Sequence, residues 1–190
     1  MEEQQEQIDF QELVERTKRL TGFTAEHEFI LTQVRDEMRP HLPTVTEAFY
    51  KVLGEIPKAQ PFLSGRVEVL KKTHLMWLDS LFTGPFDEAF ARQMYQVGMV
   101  HVKVKLPVEF MQGAATLIIS ELTSEIAAIC GDNAERQAQI IASINGVIGF
   151  SVAIMQESYQ ASSLVEELEK FLAITGMSRV LFNNLALAYK

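Results

Sequence analysis

The chain has 190 residues, 47% hydrophobic and 22% charged, which suits one cored domain, is too apolar for a disordered chain and leaves no room for a second catalytic domain. Seventeen Lys and Arg against twenty-five Asp and Glu give a formal charge of −8, the wrong sign for neutralising phosphates, so neither nucleic acid nor an anionic membrane is an expected partner. The single cysteine, Cys130, excludes an internal disulfide framework and a four-cysteine zinc site, and residues 1–7 lack the basic start and apolar run of a signal peptide, so the expected location is cytoplasmic.

Ten glycines and six prolines punctuate a helical periodicity, and no segment reads as a strand, so the expected class is all-α. An amphipathic helix over residues 8–20 is closed by Gly22. Thr24 caps the next helix, with Phe23, His27, Ile30, Leu31 and Val34 at helical spacing and a stop before Pro40. Pro43 opens a helix over 44–56 with Val45, Phe49, Val52, Leu53 and Ile56 inward, and 57–64 reads as a loop. Ser64 is the expected cap of a helix to about Thr83, stopped by Gly84-Pro85, whose inner stripe is Val67, Leu70, His74, Trp77, Leu78 and Leu81.

Asp87 caps a helix whose stripe is Phe90, Met94, Val97, His101 and Val104, and Pro107 opens the following one to about Ile129. Residues 132–135 resemble a capping box for a long helix to about Ser162. Its uncharged run, 137–156, is broken by Gln139, Ser143, Asn145, Ser151 and two glycines, so it reads as a buried helix and not a bilayer span. Residues 164–190 carry helical apolar spacing on both sides of Gly176.

Common catalytic signatures are absent: no GxGxxG, GxxxxGK[ST], HExxH or GxSxG, and no histidine preceded by Glu at the spacing of a di-iron bundle. The unusual residues are His101 and His74, each inside an apolar stripe, where an imidazole without a partner costs about 1–3 kcal/mol. They are either hydrogen-bonded core residues or, from two helices, ligands to one metal or haem. Tyr50, beside stripe residue Phe49, is either a donor to a bound gas or a surface tyrosine, while His27 and His41 read as packing and loop residues. The carboxylates read as solvated helix faces and Cys130 as a small buried residue.

The segment Gly98, His101, Val102, Lys103, Val104, Leu106 and Pro107 resembles the proximal-histidine motif of the globin-coupled sensor family, the sensory and protoglobin-like globins. Other pieces agree in order: residues 21–24, Phe49-Tyr50, Leu70 with Thr73-His74, Trp77-Leu78, and Leu81-Phe82 with Gly84. The resemblance spans about residues 21–159. Two positions depart from it: Lys105 stands where the family usually has Gly, and Phe110-Met111 replaces a commoner aromatic pair, which points to a different path for the turn after His101.

The resemblance implies a sensor-type globin fold with an extra N-terminal helix and a helical C-terminal extension. In domain terms these are a leader at 1–20, a globin domain at 21–162 and a tail or linker at 163–190. It implies haem b, iron protoporphyrin IX, with Phe49, Tyr50, Leu70, Thr73, His74, Val97, His101, Leu106 and Phe110 around it. His101 would be the proximal iron ligand, its second ring nitrogen free to donate to a backbone carbonyl. Tyr50 and Thr73 would hydrogen-bond a distal gas, and His74 is either a sixth ligand that the gas displaces or a packing residue beside the haem.

The implied function is a gas sensor, for O2 first and CO or NO as alternatives, with no reaction of its own. It would signal as a homodimer through the last two globin helices, where Ala142, Gly146, Gly149 and Ala153 form a strip of small residues, and act through an output domain or partner at the tail. Two rival classes are a haem-free sensory globin working as an interaction module, and a haem enzyme of the nitric-oxide dioxygenase or peroxidase type. The latter would need an outside reductase, because the chain carries no flavin or nicotinamide module.

Overall fold

A computed structural model describes residues 8–188; the acidic residues 1–7 and the last two residues lie outside the described part. Local chemistry sets most helix ends. Asp9 accepts from the Glu12 N–H at 3.0 Å to start α1 (Phe10–Thr21), and Gly22, at φ 66°, closes it. Thr24 and His27 cap each other reciprocally at the start of α2 (Ala25–Met38), which runs through a 3-10 turn into α3 (Leu42–Gly54).

The stretch read as a loop at 57–64 holds a 3-10 turn and the short α4 (Gln60–Leu63). Ser64 is not a cap: α5 (Val67–Ser80) starts after Arg66, without a side-chain cap, because the chain turns once more through Gly65 at φ 72°. Asp87 caps α6 (Glu88–Lys103) by accepting from the N–H groups of Ala89 and Phe90. Pro107 precedes α7 (Val108–Cys130). Asn133, and not Asp132, caps α8 (Ala134–Thr175), accepting from Arg136 at 3.0 Å. This helix continues past Ser162 to Gly176, whose φ of 67° ends it before α9 (Arg179–Ala188).

The fold is all-α, as expected, with α8 as its axis: α1, α2, α6 and α7 all pack on α8, while α5 reaches the core through α3. By length and composition α7 and α8 could each cross a membrane, but 56% of the apolar stretch in α8 and 22% of that in α7 are buried within the fold. A cluster of Phe23, Phe86, Phe90 and Phe150 ties the α1–α2 turn and the start of α6 to α8, with ring centroids 5.1–5.8 Å apart in edge and stacked geometries. Such pairs contribute about 0.5–1.5 kcal/mol each beyond area burial.

The small-residue strip on α8 has an intramolecular role. A Cβ on Gly146 would meet the Phe23 ring at 3.1 Å and one on Gly149 the Thr21 methyl at 3.5 Å, so both glycines seat the α1–α2 turn. Toward the C-terminal end, Leu164, Val165 and Ile174 of α8 and Val180, Leu181 and Leu187 of α9 are exposed. The Phe171 and Phe182 rings, 6.0 Å apart, and an ion pair between Glu169 and Arg179 join the two helices.

The end of α6 explains why glycine is common where this chain has Lys105. Lys105 adopts φ 56°, its N–H donates to the Val102 carbonyl at 2.9 Å, and the next N–H, of Leu106, donates to the His101 carbonyl at 2.9 Å. This is a Schellman closure, whose left-handed residue is ordinarily glycine. A side chain there costs about 1–2 kcal/mol, while glycine loses about 0.5–1 kcal/mol more entropy on folding. Lys105→Gly is therefore expected to raise stability by about 0.5–1 kcal/mol in urea unfolding; a loss of stability would show that the turn is not strained.

Candidate functional site

The apolar stripes predicted on α5 and α6 turn His74 and His101 toward the interior, and α3 supplies the surroundings of the first. The His74 ring stacks on Phe49 at 4.7 Å and 19°, meets Tyr50 edge-on at 5.7 Å, and lies 5.6 Å from Trp77. Its Nδ1 is 3.3 Å from the Thr46 hydroxyl, while Nε2 is buried without a partner, as is the neighbouring Trp77 Nε1. When Nδ1 carries the proton and donates to Thr46, the Nε2 lone pair is left free.

Burial in this aromatic box pushes His74 down to about 4, so the imidazole is neutral at physiological pH. The same burial pushes the Tyr50 phenol up to about 12, which keeps its O–H as a donor.

His101 projects from the last turns of α6. Its Nδ1 is buried without a partner, its ring makes no hydrogen bond among the described residues, and burial lowers its pKa. The backbone carbonyl expected to accept from its second ring nitrogen is thus not engaged. The nearby α6 carbonyls serve the helix itself, and the α8 side chain reaching this turn, Tyr159, donates to Leu106 instead, at 3.0 Å.

His101 is held in place by a glycine. A Cβ on Gly98, one turn earlier, would stand 2.2 Å from the Ser158 hydroxyl and 2.5 Å from the Met155 carbonyl. The motif's glycine is therefore a contact surface where the α6 backbone lies on α8. The two histidine helices pack on other elements, α5 on α3 and α6 on α8 and α1, and not extensively on each other. Both carry exposed apolar side chains: Val69 and Met76 on α5, Met99 and Val100 on α6.

Of the residues singled out in the sequence, the structure gathers Phe49, Tyr50 and His74 into one cluster. Leu70 and Val97 lie half-buried on α5 and α6, and Leu106 sits in the turn after His101. Thr73 is exposed and donates its hydroxyl to the Leu70 carbonyl at 3.0 Å. Phe110 lies 6.2 Å from Phe62 and lines an apolar groove of about 620 Å³ with Val52, Leu53 and Leu117.

Sequence reasoning missed Thr46 as the partner of His74, a pairing across 28 positions with no local signal. It took Trp77 only as core, although Trp77 follows His74 by one turn in the same stripe. Among the described residues no three His, Cys, Asp or Glu converge as a metal cluster.

The protoglobin family model matches residues 10–164. No curated protein matches the chain significantly. Among solved structures it is similar to the globin domain of a Geobacter sulfurreducens globin-coupled sensor, at 25% identity and TM-score 0.70, over 76% of this chain and 96% of that one. It also resembles in fold the ferric globin domain of E. coli DosC, at 18% identity and TM-score 0.64, over 76% of this chain and 98% of that one. The ferrous form gives 20% identity and TM-score 0.60, over 75% and 97%.

Two measurements test the geometry. Gly→Ala inside a helix ordinarily gains about 1 kcal/mol, whereas overpacking costs about 1–3 kcal/mol. Gly98→Ala is expected to lose stability, with Ser158→Ala restoring only part of it because the Met155 carbonyl remains in the way. Second, a histidine that titrates near 6.5 unfolded and about 4 folded binds more protons when unfolded, so its stabilisation is complete above pH 6.5 and disappears as pH falls toward 4. In cofactor-free protein this amounts to about 2–3 kcal/mol, and His74→Phe should flatten that part of the stability profile.

Proposed function

Because this chain belongs to the protoglobin family, we propose that it is a sensor globin that binds haem b through His101 and responds to a diatomic gas, O2 in the first place. The observation that carries the reading is the His101 ring, uncommitted and buried at Nδ1, within the family's motif and clamped to α8 by Gly98. A second buried nitrogen, His74 Nε2, belongs to the facing side, where Phe49, Tyr50 and Trp77 would be neighbours of the bound group. These residues fit the cofactor.

When bound, the iron supplies reversible coordination of a small gas. The chain does the rest. His101 would hold the iron from α6, with no protein acceptor on its Nδ1 among the described residues. Tyr50, protonated throughout the physiological range, would donate a hydrogen bond to a bound gas. His74, neutral and with Thr46 at Nδ1, would offer its Nε2 lone pair to the same iron. Thr73 assists on the distal side only after its hydroxyl leaves the Leu70 carbonyl.

Leu70, Val97 and Leu106 form apolar walls. Phe110 would join them from α7. The reading assigns no reaction to this chain. Output passes to a homodimer through α7 and α8 and to a domain or partner at residues 163–190, with the globin domain at 21–162 and the leader at 1–20. The cytoplasm suits these roles.

Absorption spectra test the reading. Purified protein supplied with haemin is expected to give a Soret band that His101→Ala abolishes, and His74→Ala should convert a six-coordinate ferrous spectrum to a five-coordinate one. Tyr50→Phe should speed O2 dissociation about fivefold, the worth of one hydrogen bond. A protein that gives no Soret band would be the haem-free interaction module instead, and sustained turnover with a reductase would make it an enzyme.

A further inference from the structure

His101 is bracketed by a single turn of α8. On its N-terminal side Gly98 lies against Met155 and Ser158, so closely that a Cβ there would meet the Ser158 hydroxyl at 2.2 Å. On its C-terminal side the His101 carbonyl accepts from the Leu106 N–H at 2.9 Å, and the Leu106 carbonyl accepts from the Tyr159 hydroxyl at 3.0 Å. Among the described residues, Tyr159 makes the one side-chain hydrogen bond between α8 and the α6–α7 turn. The two contacts differ in kind. Gly98 makes a close van der Waals contact that sets the separation of α6 from α8, whereas the Tyr159 bond is directional and ties α8 to the turn.

From Tyr159 the same helix runs unbroken to Thr175, where Leu164, Val165 and Ile174 are exposed. A continuous helix transmits a tilt or shift along its length, because its hydrogen bonds keep successive turns in register. Electrostatics link the same two regions: Lys170 first and Lys105 further hold the Glu166 carboxyl below its ordinary range, so Lys105 of the turn faces the extension.

We infer that Tyr159 is a positioning residue that couples His101 to the α8 extension, the path running from the His101 carbonyl through Leu106 to the Tyr159 hydroxyl. The inference rests on the haem-binding reading and extends it by naming the side chain through which a change at His101 moves residues 163–175. A helix shift must bias a second element to be a signal, and this bond is where the two elements are joined.

The test is amide hydrogen exchange on the full chain, haem-free, ferrous and CO-bound, with Tyr159→Phe, which removes only the hydroxyl, and Ser151→Ala as a control. Ser151 donates its hydroxyl to the Val147 carbonyl in the buried part of α8, away from the turn. In haem-free protein, Tyr159→Phe should speed exchange at Lys105 and Leu106 about fivefold, as loss of one hydrogen bond does. In wild type and Ser151→Ala, CO should change exchange over residues 163–175, and Tyr159→Phe should remove that difference while keeping the Soret band.

A CO-linked difference that survives in Tyr159→Phe overturns the inference, as does one absent from wild type or lost in both variants. In those cases a normal Soret band leaves the haem reading standing. A missing Soret band in wild type defeats the haem reading itself and the inference with it.

Discussion

The approach of Gly98 to the backbone of Met155 is the constraint around which the lower half of the molecule is organised. Two helices can lie this close only where one contributes no side chain, and α6 meets that condition one turn before the histidine. The contact fixes where α6 sits on α8, and hence how far His101 projects. The left-handed Lys105 and the paired bonds from Lys105 and Leu106 then end the helix just after the histidine. A side chain borne on the last turns of a helix whose contact and termination are both defined has little freedom to wander.

The other half of the site works by exclusion of charge. His74 sits among Phe49, Tyr50 and Trp77 with one nitrogen near a threonine hydroxyl and the other unpaired. An apolar box of this kind cannot stabilise an imidazolium, so it keeps the ring neutral and its lone pair available. His74 Nε2 and His101 Nδ1 are buried without a hydrogen-bond partner among the described residues. Helix α8 carries both Phe150 of the aromatic cluster and the contacts beside His101.

Much of the architecture was legible in the chain because it is locally encoded. Helix caps at Thr24 and Asp87, the glycine stop at Gly22 and the inward stripes of α5 and α6 depend on residues within a turn or two of each other. Where local chemistry was ambiguous, the boundaries shifted. Ser64 lost its capping role to an extra turn through Gly65, and Asn133 took the place beside Asp132. The long helix did not stop at Ser162, because no glycine or proline intervenes before Gly176. Lys105 looked like a departure that would redirect the turn, yet the backbone takes a glycine-like conformation with a lysine in place.

The residues alone established a helical class, the two histidines on apolar stripes and the motif around His101, since each follows from spacing within a single helix. They left open what each small residue and each polar atom faces. Gly146 and Gly149 could have met a second subunit but meet Phe23 and Thr21; Thr46 and Tyr159 gave no sign that they pair with His74 and Leu106; Phe110 lines a groove with Val52, Leu53 and Leu117. Those outcomes depend on how helices distant in sequence stack in space, and side-chain periodicity specifies which face of a helix is buried without specifying the neighbour that buries it.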